Sequence, residues 1–305
     1  MPLKETFFDF PPEKKVRVII DTDCNCEADD LFAVAHALMT PRLDVMAITA
    51  EHYGTTEEGE DPEQTMLASF AQAGKVVDLM GLHGEIPILE GCRSVLPNEH
   101  TWVNSPAARF IVEEALRDDP RPLYILNQGA VTNLASAYLM NPEIGSRLTS
   151  IWIGGAPYPE GGWEFNVCND ITASNVIMDS DIEVWQVPQS VYSMMKVSFA
   201  TLYEHVYPYG EIGRYMMENM FKVNHRMTHL DFVSGEAWQL GDSPVVGLLL
   251  HPMPGCYSME GAPRFDQDGC YQLRPDNKRR IRVYFNIDSQ FILEDFFAKM
   301  KYYFG

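Results

Sequence analysis

No apolar run in this sequence approaches the ~18–20 residues that a membrane span needs. The opening stretch, MPLKETFFDFPPEKKV, lacks the apolar core of a signal peptide. Cysteine is sparse and irregularly spaced: Cys24, Cys26, Cys92, Cys168, Cys256 and Cys270 form no CxxC pair. That excludes a disulfide framework and the usual zinc spacings, and it points to a reduced, cytoplasmic chain. Positive charge is also short. Lys and Arg number 23 against 43 Asp and Glu, a net charge of −20, which argues against nucleic acid or an anionic membrane as partner. There is no GxSxG, no Walker loop and no GxGxxG. Internal repeats and low-complexity tracts are missing too.

Ordinary globular material remains. Hydrophobic residues make up 46% and charged residues 22% of 305. No linker is visible, so residues 1–305 read as a single domain. Short apolar runs alternate with helical patterns. Strands are expected at Val16–Asp21, Leu43–Ala50, Val76–Leu82, Pro122–Asn127, Ser150–Gly154, Ile182–Val187 and Arg280–Asn286. Helices are expected at Asp29–Met39, Gln64–Ala73, Ser105–Asp118, Val131–Leu139, Asp170–Met178, Leu202–Asn224 and Phe291–Tyr303. The alternation predicts an α/β fold: a doubly wound, mostly parallel sheet with added C-terminal helices.

The densest chemistry follows the first strand. Asp21, Asp23, Glu27, Asp29 and Asp30 fall within ten residues. Carboxylates that close repel unless protonation, solvent or a cation offsets them, and an all-oxygen set suits Ca²⁺ or Mg²⁺. In open parallel sheets ligands sit at the carboxyl ends of the strands. Glu51, His52, Asn127, Gln128, Glu164 and Asn166 are expected at the same mouth. An EF-hand reading fails, because its sixth and twelfth positions would be Cys26 and Phe32 rather than Gly and Glu. An Asp-nucleophile phosphotransferase of haloacid-dehalogenase type shares D-x-D, but Asn25 stands where that family has Thr or Val.

DTD…DD resembles the signature of the nucleoside hydrolases, the inosine–uridine-preferring family. The intervening CNCEA is longer than the common spelling and is similar to a bacterial branch. Three more segments agree in order. Gln128–Asn133, QGAVTN, resembles the family's TGPLTN turn. Ile153–Asn166, IGGAPYPEGGWEFN, resembles its MGG…EFN segment. Gly241-Asp242-Ser243-Pro244 resembles the late HDP that opens a helix. With the C-terminal IRVYFNID, the resemblance runs from about residue 15 to 295.

The resemblance implies Ca²⁺-dependent hydrolysis of the N-glycosidic bond of a ribonucleoside or related N-riboside, giving ribose and free base. The substrate would be a small nucleoside-like molecule, and the assembly a homodimer or homotetramer. Carried over, Asp23, Asp30, Asp242 and the Gln128 carbonyl would hold the ion. Asp23 would take the proton of the attacking water. Asp29, Glu164 and Asn166 would bind sugar hydroxyls, with His52, Asn25 and Glu27 as further contacts. Two family features are missing. The His before the late Asp is Gly241, and the loop before EFN has no Asn for the ribose 5′ end. His229 or His225 as acid, and Trp238 as a stacking aromatic, are the expected replacements on the leaving-group side. The alternative is a metal-dependent ribose- or nucleoside-binding protein with impaired turnover.

Each of these residues also has a plainer role. Asp29 can simply open a helix, Asp242 can cap one, and Glu164 and Asn166 can be loop-stabilising polar groups. The three histidines and Trp238 can be satisfied structural groups. The acidic EEGEDPEQ reads as a solvated loop, and YMMENMF as a core-facing helix.

Overall fold

The computed structural model describes residues 3, 5, 6, 8, 10–54, 60–230 and 233–305. Residues 55–59, in the acidic loop, and 231–232, beside His229, lie outside them. The strands are β1 (Val16–Thr22), β2 (Leu43–Ala50), β3 (Ile88–Leu89), β4 (Leu123–Asn127), β5 (Leu148–Ile153), β6 (Glu183–Val187), β7 (Lys196–Ser198), β8 (Ala237–Gln239), β9 (Tyr257–Gly261), β10 (Arg264–Phe265), β11 (Tyr271–Gln272) and β12 (Arg280–Tyr284). The α-helices are α1 (Asp30–Leu38), α2 (Pro62–Leu79), α3 (Pro106–Leu116), α4 (Thr132–Met140), α5 (Phe165–Asn169), α6 (Ile171–Asp179), α7 (Gln189–Tyr192), α8 (Phe199–His205), α9 (Gly210–Arg226), α10 (Pro244–Leu250) and α11 (Ser289–Phe304).

An eight-stranded sheet runs β3-β2-β1-β4-β5-β6-β12-β9. Every pairing in it is parallel except β12 with β9. Strand β1 is buried along its whole length. Its apolar residues alternate between faces, as the period of two requires. Val18 and Ile20 pack with Leu31, Val245 and Ile292, from α1, α10 and α11. Ile19 packs with Ile111, Leu134 and Ile177, from α3, α4 and α6. A sheet covered on both faces has its polar ligands at the strand ends, where the helices begin.

Three expectations need correction. Val76–Leu82 is not a strand: Val76 and Val77 belong to the last turn of α2, which runs from an Asp61 cap through Pro62. Met66, Ser69, Ala73, Val76 and Val77 share its buried stripe, so helical periodicity overrides a short β-branched run. The true third strand is only Ile88–Leu89. The expected helix Leu202–Asn224 is two helices, α8 and α9, separated around Pro208. The antiparallel edge strand β9 was not anticipated. All six cysteines are free. Among the described residues, no helix is long and apolar enough to cross a membrane.

Candidate active site

Strand β1 delivers its carboxylates to the C-terminal edge of the sheet in two layers. Asp21 forms the lower one. Its carboxylate accepts from Thr49 Oγ1 (2.6 Å), Asn133 Nδ2 (2.9 Å) and Asn127 Nδ2 (2.9 Å). Burial pushes its pKa to about 6, against the pull of those three bonds. Asp21 therefore braces β1 against β2, β4 and α4, as a structural acid.

Above it the chain turns, with Cys26 N–H donating to the Asp23 carbonyl at 2.8 Å. Asp23 lies against Gly129. A Cβ there would come within 2.7 Å of Asp23 Cγ, so the turn after β4 must be glycine for the carboxylate to fit. Asp29 precedes α1, yet its side chain makes no capping hydrogen bond. Asp30, the first residue of α1, accepts from Thr22 Oγ1 at 2.5 Å. Its carboxyl also lies within hydrogen-bonding reach of Asp23 and Asp242. Carboxyl oxygens of Asp29, Asp30 and Asp242 all fall within 4.8 Å of one another.

These groups line one acidic pocket with Glu27, Gln128, Glu164, Asn166, Tyr192 and Gly241. No Lys, Arg or His lines it among the described residues. Burial, then the neighbouring carboxylates, raises the pKa of Asp23, Asp29 and Asp242 well above the usual range. Burial lifts Asp30 to about 6. Glu27 reaches about 7 through burial and the charges of Asp30 and Glu164, with Arg226 opposing. Arg226 itself donates to the Cys26 carbonyl at 2.8 Å, on the outside of the turn. The donor set is all oxygen, and among the described residues no cationic side chain lines the pocket, Arg226 acting only from outside it. The set fits a hard divalent cation.

Glu164 and Asn166 enter from β5 and α5, and each does structural work. Glu164 Oε2 accepts from Gly155 N–H (2.9 Å) and caps α5 through Val167 N–H (3.0 Å). Its Oε1 accepts from the Tyr192 hydroxyl at 3.0 Å. Asn166 Nδ2 donates to the carbonyls of Gln128 (3.0 Å) and Ile153 (2.9 Å). The Gln128 carbonyl keeps its second lone pair. Its side-chain amide is buried and has no hydrogen-bond partner at either Oε1 or Nε2.

The expected residues thus divide. Asp23, Glu27, Asp29, Asp30, Gln128, Glu164, Asn166 and Asp242 meet in the acidic pocket. His229 and Trp238 line an outer cavity of about 910 Å³, which opens from it past Glu27, Asp29, Tyr192 and Gly241. Asn25 lies outside both and donates to the Tyr53 hydroxyl at 2.7 Å. His52 is also outside. Its Nε2 meets Thr132 Oγ1 at 2.9 Å, and that hydroxyl donates to Asp170 at 2.9 Å. The threonine has one proton, so His52 Nε2 is the donor. Burial lowers its pKa to about 4 and keeps the ring neutral. His225 is exposed on α9, away from both cavities. Lining groups outside the expected set include Tyr192, the Gln128 amide, and the aromatic Trp163 and Phe165. Tyr192 follows β6 and ends α7, so the rule that ligands gather at strand carboxyl ends was the available signal.

Comparison with known proteins agrees with this architecture. The inosine–guanosine nucleoside hydrolase superposes with a TM-score of 0.72 at 18% identity, over 94% of this chain and 99% of that one. The purine-preferring ribonucleoside hydrolase from Gardnerella vaginalis gives 0.69 at 18%, over 93% and 98%. In sequence, the pyrimidine-specific ribonucleoside hydrolase RihA of Escherichia coli O7:K1 is 30% identical over 185 residues, 53% of this chain and 57% of the relative. The chain thus spans little more than half the length of the curated relative it matches. The profile described as inosine-uridine preferring nucleoside hydrolase matches residues 18–291. On that match, across the acidic loop, the sheet and α10, the chain belongs to the inosine–uridine preferring nucleoside hydrolase family.

Proposed function

We propose that this protein is a Ca²⁺-dependent ribohydrolase that cleaves the N-glycosidic bond of a ribonucleoside or related N-riboside to ribose and free base. The observation that carries the reading is the cluster of Asp23, Asp29, Asp30 and Asp242, buried together with no cationic side chain lining the pocket among the described residues. Ca²⁺ would be held by Asp23, Asp30, Asp242 and the Gln128 carbonyl. The close approach of Asp29 to Asp30 and Asp242 supports a role for it between the ion and the sugar. When bound, the ion supplies Lewis acidity toward a water and toward sugar hydroxyls.

The chain's own residues do the rest. Cleaving the bond builds oxocarbenium character on the ribose, and surrounding carboxylates lower the energy of that developing charge. Asp23, at the floor of the pocket, accepts the proton of the attacking water. Asp29 and Glu27 accept from sugar hydroxyls. The unpartnered Gln128 amide offers both a donor and an acceptor, which suits a hydroxyl. Glu164 and Asn166, held rigidly by their backbone bonds, set the far wall. The base extends into the outer cavity, where Trp163, Phe165 and Trp238 present aromatic surface.

Release of free ribose from a panel of purine and pyrimidine ribonucleosides tests the reading. The expected result is release from at least one nucleoside that depends on Asp23. A panel with saturating Ca²⁺ and no ribose from any member would overturn it.

A further inference from the structure

Position 241 is glycine where the family resemblance expects histidine, and the structure supplies a physical reason. A Cβ on Gly241 would lie 3.1 Å from Tyr192 Cδ2 and 3.2 Å from Asp29 Oδ2, tight contacts that leave little room for a side chain. Tyr192 occupies the ground instead. One edge of its ring packs on Gly241, and its hydroxyl reaches Glu164 at 3.0 Å. Both anchors line the acidic pocket, so the ring spans part of its mouth. Tyr192 also lines the outer cavity with Phe165 and Trp238. Its orientation is well held, because Glu164 is itself fixed by Gly155 and Val167.

We infer that Tyr192 is the specificity-determining residue on the leaving-group side, and that Gly241 is its steric counterpart. The inference rests on the ribohydrolase reading. With sugar in the acidic pocket and base in the outer cavity, the scissile bond must pass this ring. The ring limits the width of the passage and gives the base a wall. The hydroxyl is a donor at the boundary of the two cavities, oriented by a fixed carboxylate. A sugar hydroxyl donating to Glu164 frees that O–H to turn toward the base as negative charge develops on it. The ligand class is then a riboside with a basic heteroaromatic leaving group, one that gains from a hydrogen bond on departure.

The test compares a nucleoside that the wild type hydrolyses with 4-nitrophenyl β-D-ribofuranoside, whose leaving group needs no such assistance. Tyr192→Phe should lower kcat/KM on the nucleoside on the order of 100-fold, and by at least about tenfold more than on the aryl riboside. A merely structural role would lower both in parallel. Gly241→His should lose nucleoside activity and melting temperature while Tyr192 is present. Combined with Tyr192→Ala it should recover activity above either single variant. Parallel losses on the two substrates, or a fully active Gly241→His, would overturn the inference while leaving the hydrolase reading intact. A wild type that releases ribose from no nucleoside of the panel would end the hydrolase reading, and this role with it.

Discussion

The two ends of strand β1 bury charge in opposite ways. At its start, Arg17 is 2% exposed and Glu114 likewise 2%. They are paired at 2.7 Å, and Arg17 donates further to the carbonyls of Glu114 and Arg121. Asp119 lies 3.7 Å from Arg17 and is itself bound by Arg121, which also reaches Asp44 at 2.6 Å. At its far end, the same strand opens toward Asp23, Asp29, Asp30 and Asp242, where among the described residues no positive side chain lines the pocket. A fold can bury charge cheaply only by pairing it. The compensated end is architecture. The uncompensated end is offset by protons or by a bound cation, and it is the end we propose holds the ion.

Breaking the uncompensated end should have the largest effect. Asp30→Ala is expected to lower ribose release by about 10³-fold or more and to weaken Ca²⁺ binding in calorimetry. In chelator its melting temperature should stay level or rise, because a repelling carboxylate has gone. Glu114→Ala should do the reverse. It leaves a buried guanidinium without its main partner and should cost about 3–5 kcal/mol in denaturant unfolding. Turnover per folded molecule should stay within about twofold, since Glu114 does not approach the site.

The pH dependence sharpens the contrast. Without metal, Asp30 and Glu27 hold protons up to about 6 and 7, and Asp23, Asp29 and Asp242 are raised as well. In the unfolded chain these groups titrate near about 4. The folded state therefore binds more protons across that interval, and its stability falls as pH rises through about 6–7. Ca²⁺ replaces those protons, so its stabilisation should grow over the same window. Melting temperatures in chelator and in Ca²⁺, at pH 5 and pH 8, check this. A gap that does not widen with pH would count against the cluster as a cation site. The smallest effect is expected at the exposed rim of the paired end. Arg121→Ala should cost about 1 kcal/mol or less, because its pairs with Asp44 and Asp119 are partly solvated.

What could be read from the sequence follows from how local each signal is. The strand, acidic loop and helix from Val16 to Leu38 are contiguous, so their pattern is visible without tertiary knowledge. Gln128, Glu164, Asn166 and Asp242 were found by the order of motifs along the chain. The strand expected at Val76–Leu82 is a helix end, because the apolar VVDLMGL looks the same at the end of a helix as in a strand. Strand β9 is defined by its antiparallel partner β12, which no local pattern announces. Asn25 was expected at the sugar but turns to Tyr53, and His52 was expected there but serves Thr132. Both depend on side-chain direction at a loop, which residue type does not set. Tyr192 sits in an unremarkable SVYSMM stretch, and its importance comes only from meeting Gly241 and Glu164 across the fold.

The most direct test of the account is ribose release from a hydrolysed nucleoside before and after stripping divalent metal, then after adding Ca²⁺ back. The account predicts that release falls to background in chelator and returns with Ca²⁺, and that Asp30→Ala cannot be restored. Ribose release that continues undiminished in a fully metal-free protein would contradict it.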